Sequence, residues 1–213
     1  MSAVSTDMGT DVAPFRDTIT DLEGLQALYR QPGKLVAAKK TDRIAEATAA
    51  FIGASPMLFL ATADSDARVT VSPKGGKPGF VHVLDERHLA IPDIPGNNLI
   101  DGLRNLVTNP RIGLLFILPG RDETLRINGR AWPTTDPELI ARFTVEGERT
   151  PKLVIGIEVE TVFIHCSQSF EKGHVWHSDT WEGLVAPSAM ELFRCHLADN
   201  LSADELPGGG ASG

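Results

Sequence analysis

The chain is short of the features that mark several protein classes. Its 213 residues contain two cysteines, Cys166 and Cys195, too few for a disulfide framework, and reduced thiols fit an intracellular protein. Lys and Arg are outnumbered by Asp and Glu, and the formal net charge of −8 excludes a general nucleic-acid binder. It leaves room for a local basic pocket that takes one small anion. No segment is long and apolar enough to span a bilayer, so no membrane partner is expected. The opening "MSAVSTDMGTDVAPF" has neither a basic n-region nor an apolar run, and a cytoplasmic location is the expectation. There is no GxSxG, no P-loop and no GxGxxG after a strand, which removes serine-hydrolase, NTPase and Rossmann chemistry. His165-Cys166, His174 and His177 have neither zinc-finger spacing nor an HExxH helix, so no metal site is assigned. No role in proton transfer follows for these histidines either. Trp132, Trp176 and Trp181 suit a core or an interface.

What is there suits a soluble globular domain. Hydrophobic residues make up 42% and charged residues 23%, enough apolar material for a sizeable core. Residues 1–14 read as a small, polar lead-in, 15–200 as a single domain, and the glycine-rich 201–213 as a flexible tail. Ile44, Thr48, Phe51 and Ile52 give a helical stripe that Gly53 ends. "MLFLATA" and "RVTVS" then read as strands around the "DSDA" turn, and "FVHVLDERHLAI" as two more around Asp85 and Glu86. Leu99, Ile100, Leu103, Leu106 and Val107 predict a second helix, capped by Asn97 or Asn98 and stopped at Asn109-Pro110. "RIGLLFIL" and "TLRINGRAW" are strands, and Asp136-Pro137 opens a short helix with Leu139, Ile140 and Phe143 inward. "KLVIGIEVETVFIHC" is one long strand or two joined at a bend. A last helix over Pro187–Asn200 places Met190, Phe193 and Leu197 on one side. Many strands in close succession with few helices between them indicate a mainly β fold, a closed or nearly closed antiparallel barrel with helices outside it.

Two stretches carry candidate chemistry. In "RVTVSPKGGKPG", strand alternation puts Arg68, Thr70 and Ser72 on one face, with Lys74 just beyond in a Pro/Gly-rich turn. Such a face is either a solvated outer surface or an anion site. For the second, Arg offers a planar fork, Lys a mobile charge, and the glycines close backbone approach. In "IPDIPGNNLIDGL" a Pro/Gly turn runs straight into a helix N-terminus, whose free N–H groups suit a phosphate or an ordinary Asn cap.

The order of "FIGASPMLFLATAD", "VTVSPKGGKPGFVHVLDERHLAIPDIPGNN", "LRNLVTNPRIGLLFILPG" and "LRINGRAW" resembles the pyridoxamine 5′-phosphate oxidase-related flavin-binding family, in its flavin-nucleotide-binding branch. The likeness runs from about Leu25 to Trp181 and is sharpest at "SPKG…PGF" and "IPD…PGN". It implies a six-stranded split β-barrel that forms a homodimer with FMN at the subunit interface. Arg68, Thr70, Ser72, Pro73 and Lys74 would then run along the flavin, with Ile91 and Pro92 behind it. Gly96 to Leu99, with Asn97 and Asn98, would meet the ribityl phosphate. The second subunit would contribute Gln168, Ser169, Lys172 and Trp176. This chain departs from the family in having Asn98 and Leu99 where a basic residue is common, and Gln168 where a lysine is expected. Arg126, Arg130 and Lys172 are candidates to compensate. The implied activity is an FMN-dependent oxidoreductase acting on a small molecule that the sequence does not specify. The alternative is a non-catalytic carrier of flavin, deazaflavin F420 or haem.

Overall fold

A computed structural model describes residues 14–94 and 96–201. The lead-in and tail expected at 1–14 and 201–213 fall almost entirely outside them. The chain divides into two compact units after Ser167. The first begins with two short helices, α1 (Leu22–Leu28) and α2 (Lys34–Ala38), followed by α3 (Glu46–Ala54). Ile44 is buried but precedes α3, and the helix runs through Gly53 instead of ending there. The Ser55 N–H closes it on the carbonyls of Phe51 and Ile52.

Strands β1 (Met57–Ala63), β2 (Val69–Gly75), β3 (His82–Val83) and β4 (His88–Asp93) come next, then α4 (Asp101–Thr108). They are followed by β5 (Arg111–Ile117), β6 (Thr124–Thr134), α5 (Pro137–Ala141) and β7 (Leu153–His165). All pairings are antiparallel, in the order β2-β1-β5-β6-β7-β4-β3. The mainly β fold with peripheral helices is thus present. The sheet has seven strands, counting the two-residue His82–Val83 beside β4. α4 packs against β1, β2 and β6.

Alternation builds the interior. On β1, Leu58, Leu60 and Thr62 point inward and are buried, joined by Leu89 and Ile91 from β4 and Ile155 and Ile157 from β7. Each such large aliphatic side chain contributes about 1.5–3 kcal/mol relative to exposure. β7 is one continuous strand, bent by a bulge that leaves Glu160 between the pairs Gly129↔Val159 and Asn128↔Thr161. Gly129 is required there, since a Cβ would stand 2.0 Å from the Glu158 carbonyl oxygen. The displaced Glu160 carboxylate accepts two hydrogen bonds from Arg111 at 2.8 and 2.6 Å.

The second unit holds α6 (Gln168–Lys172), a 3-10 turn at Ser178–Thr180 and α7 (Ala189–Ala198). α7 is shorter than the expected 187–200 because Ser188 starts it with a capping box. Ser188 Oγ accepts from the Glu191 N–H, and the Glu191 carboxylate accepts from the Ser188 N–H. Met190 and Phe193 are exposed. Among the described residues no helix is long and apolar enough to cross a membrane.

Candidate functional site

β2 is an edge strand with its polarity reversed. Thr70, Ser72 and Lys74 are half-buried and face inward, while Val69 and Val71 point out with 67% and 62% of their surface exposed. The strand begins only at Val69, so Arg68 does not share the Thr70–Ser72 face as expected. It closes the preceding turn, its N–H donating to Asp64 Oδ1, and its guanidinium pairs with Asp66 at 3.0 Å in solvent. Lys74 reaches across the open seam of the barrel from β2 to β4. Its Nζ donates to Asp93 Oδ1 at 2.8 Å, with 27% of the lysine side chain and 18% of the aspartate exposed. Asp93 thereby compensates a cation that burial alone would disfavour.

The segment after β4 forms the second wall. Its cap differs from expectation: α4 starts at Asp101 with Ile100 as N-cap and without a side-chain cap. Asn97 Oδ1 accepts instead from the Leu99 N–H at 3.0 Å, and Asn98 takes a left-handed conformation with φ 60°. Asn97 is thus used within the turn, Leu99 and Ile100 are exposed, and α4 begins without a side-chain cap. Leu106 packs inward, whereas Val107 points to solvent. A buried polar triangle pins α4 in place. Asn105 Nδ2 donates to Thr62 Oγ1 at 3.1 Å and to Thr70 Oγ1 at 3.0 Å, and the two hydroxyls lie 3.1 Å apart.

These walls enclose a cavity of about 570 Å³, within the range of small-molecule sites. Of the residues expected at the flavin, Thr70, Ser72, Lys74, Asn97, Asn98 and Leu99 line it together. A second cavity of about 560 Å³ adjoins it, with Lys74 and Ile94 in both linings. Pro73 and Pro92 line the second cavity. There the His82 and Phe143 rings stack at 4.0 Å, so Phe143 packs inward from beyond the end of α5. Burial, aided by the nearby Arg142 charge, holds the His82 pKa below its ordinary value.

Three other expected residues lie outside the two cavities. Ile91 is fully buried in the core, opposite Ile155, and lines neither cavity. Arg126 and Arg130 also lie outside both, the first over the Phe163 ring and the second over Trp132. Gln168, Ser169 and Lys172 belong to α6 of the second unit, where Trp176 stacks on Phe170 at 5.7 Å. In the same unit His174 and His177 meet edge to face at 5.7 Å. Among the described residues no group of three or more His, Cys, Asp or Glu side chains is placed to hold a metal.

The sequence reading missed Asp93, Asp101 and Lys152 in the first cavity and Lys77, Arg142 and Arg149 in the second. Asp93 lies within the "IPD" motif, but its pairing with Lys74 joins residues from two different strands and leaves no local pattern. Lys152 gave no local signal. The β4–β7 pairing brings it in, with its N–H donating to the Asp93 carbonyl at 3.1 Å.

The cavity suits a phosphorylated, partly apolar ligand: two hydroxyls and two lysines on its walls, an uncapped helix start, and aliphatic Leu60, Ile94, Leu103 and Ile155 between them. Asp93 and Asp101 offset part of that charge. The family model described as pyridoxamine 5′-phosphate oxidase matches residues 44–166, more than half of the chain. No curated protein matches the sequence. Similar solved structures include HupZ of Group A Streptococcus, 20% identical over 57% of this chain and 93% of that one, with a TM-score of 0.47. General stress protein 26 of Bacillus anthracis is 16% identical over 54% and 88%, with a TM-score of 0.41. HutZ, the haem storage protein of Vibrio cholerae, is 14% identical over 58% and 94%, with a TM-score of 0.40. Likeness at these levels says nothing about ligand.

Proposed function

Because the chain belongs to the pyridoxamine 5′-phosphate oxidase family, we propose that it is an FMN-binding oxidoreductase acting on a small molecule. The observation that carries this is the cavity in the β2–β4 seam, where Thr70, Ser72 and Lys74 meet the open start of α4. Bound there, FMN supplies electron or hydride transfer. The residues of the chain hold and tune it. The N–H groups in the first turn of α4, which no side chain caps, would receive the phosphate, favoured by the helix dipole. Ser72 donates a hydrogen bond to the ring, and Lys74 supplies positive charge beside it, moderated by Asp93. Lys152 adds a second cation on the β7 side. The adjoining cavity, sharing Lys74, gives a second reactant a place beside the flavin.

The functional unit we propose is a homodimer. Val69 and Val71 on the edge strand, with Phe59 of β1, leave an apolar outer face that a second copy would cover. In it, Gln168, Ser169, Lys172 and Trp176 come to the flavin from the partner subunit, as the family resemblance implies. The test is the absorption spectrum of the purified full chain, followed by stopped-flow reduction with NADH or NADPH. Flavin bands and reduction faster than that of free FMN support an oxidoreductase. Flavin bands without accelerated reduction indicate a carrier, and a haem band or a colourless protein that ignores added FMN overturns the assignment.

A further inference from the structure

We propose that a separate surface site around Phe163 binds a small, multiply charged phosphate-bearing anion. Three cations converge on this ring: Lys39 Nζ and Lys40 Nζ each 5.5 Å from its centroid, and the Arg126 guanidinium at 5.7 Å. The convergence is built by the backbone. Arg126 and Phe163 are direct partners across the β6–β7 ladder. Thr41 and Val162 exchange both backbone hydrogen bonds, at 3.1 and 2.7 Å, which fastens the lysine pair beside the ring. His165, two residues along β7, sets its ring 6.1 Å from that of Phe163.

None of the three cations has a carboxylate partner among the described residues. The neighbouring charges do: Asp42 pairs with Arg87, and Arg43 donates to both oxygens of Glu86 at 2.8 and 2.9 Å. Although the chain has a net charge of −8, this cluster has no carboxylate partner among the described residues. Exposed cation–π contacts are weak, and an anion would add the charge-assisted hydrogen bonds that the ring does not offer these cations. The ammonium groups supply mobile charge and the guanidinium a planar fork matched to phosphate oxygens. With cations already over the ring, the site reads charge and not a stacked base. It lines neither cavity, so it does not rest on the flavin assignment.

The probe is inorganic pyrophosphate, titrated calorimetrically into the full chain at low and at 0.15 M salt. Saturable binding is expected, weaker at the higher salt. The exposed double change Lys39→Ala/Lys40→Ala should weaken it at least tenfold, and Arg126→Gln comparably. Lys74→Ala, in the first cavity, should leave the component that the double change removes unchanged. Absence of saturable binding, or equal affinity in the wild type and the double variant, overturns the site. So does loss confined to Lys74→Ala, which would place the anion in the cavity. Sedimentation with phosphatidylserine vesicles in a chain that ignores pyrophosphate also overturns it, in favour of a lipid surface.

Discussion

At the scale of residues, Lys74 and Asp93 set the character of the seam. A lysine drawn three-quarters out of water needs its counter-charge, but that same carboxylate opposes any anion brought to the cavity. Asp93→Asn should therefore do two opposite things. It should lower folding stability by about 1 kcal/mol, the upper end for an ion pair still in reach of water. It should also tighten FMN binding severalfold. Chemical denaturation and an FMN titration measure the two effects separately. His82 gives a pH signature. Its folded pKa lies below the ordinary 6.5, so the unfolded chain takes up the proton first as pH falls. Its contribution is fully present above that value, declines below it, and levels off under the folded pKa. The drop in the urea midpoint between pH 7 and 5 should accordingly be smaller in His82→Gln than in the wild type.

At the scale of elements, α4 owes its position to the Asn105–Thr62–Thr70 triangle together with Leu106, which it buries in the core. Asn105→Ala removes two hydrogen bonds worth about 1 kcal/mol each while the two threonines keep each other. A stability loss of about 2 kcal/mol is expected, with weaker FMN binding because the start of α4 loosens over the cavity. Thermal melts with and without FMN report both. The elements also show which signals the sequence carried. Strands were legible because alternation on β1 and the long apolar runs of β5 and β7 are local patterns. Caps were less so. Asn97 and Asn98 have cap chemistry, yet Asn97 bonds within the turn and Asn98 takes a left-handed conformation before the helix begins. The inward hydroxyls of β2 were readable from period two, but Arg68 stood one residue outside the strand.

At the scale of the molecule, the barrel follows from one fact: hairpin neighbours pair locally, and the long β7 joins the β5–β6 pair to β4. That last pairing is non-local, and it decides the cavity. It sets Lys152 beside Asp93, and leaves the β2 and β4 ends facing each other across the seam that Lys74 bridges. No spacing in the sequence announces it, which is why the strand residues of the site were legible and their partners across the seam were not. The central claim is that this seam holds FMN. It is tested most directly by titrating the full chain, freed of any bound chromophore, into FMN and following flavin fluorescence, for the wild type and for Lys74→Met. Saturable quenching by the wild type, with affinity at least tenfold weaker in a folded Lys74→Met, is the predicted result. No saturable change, or the same affinity in both, would contradict it.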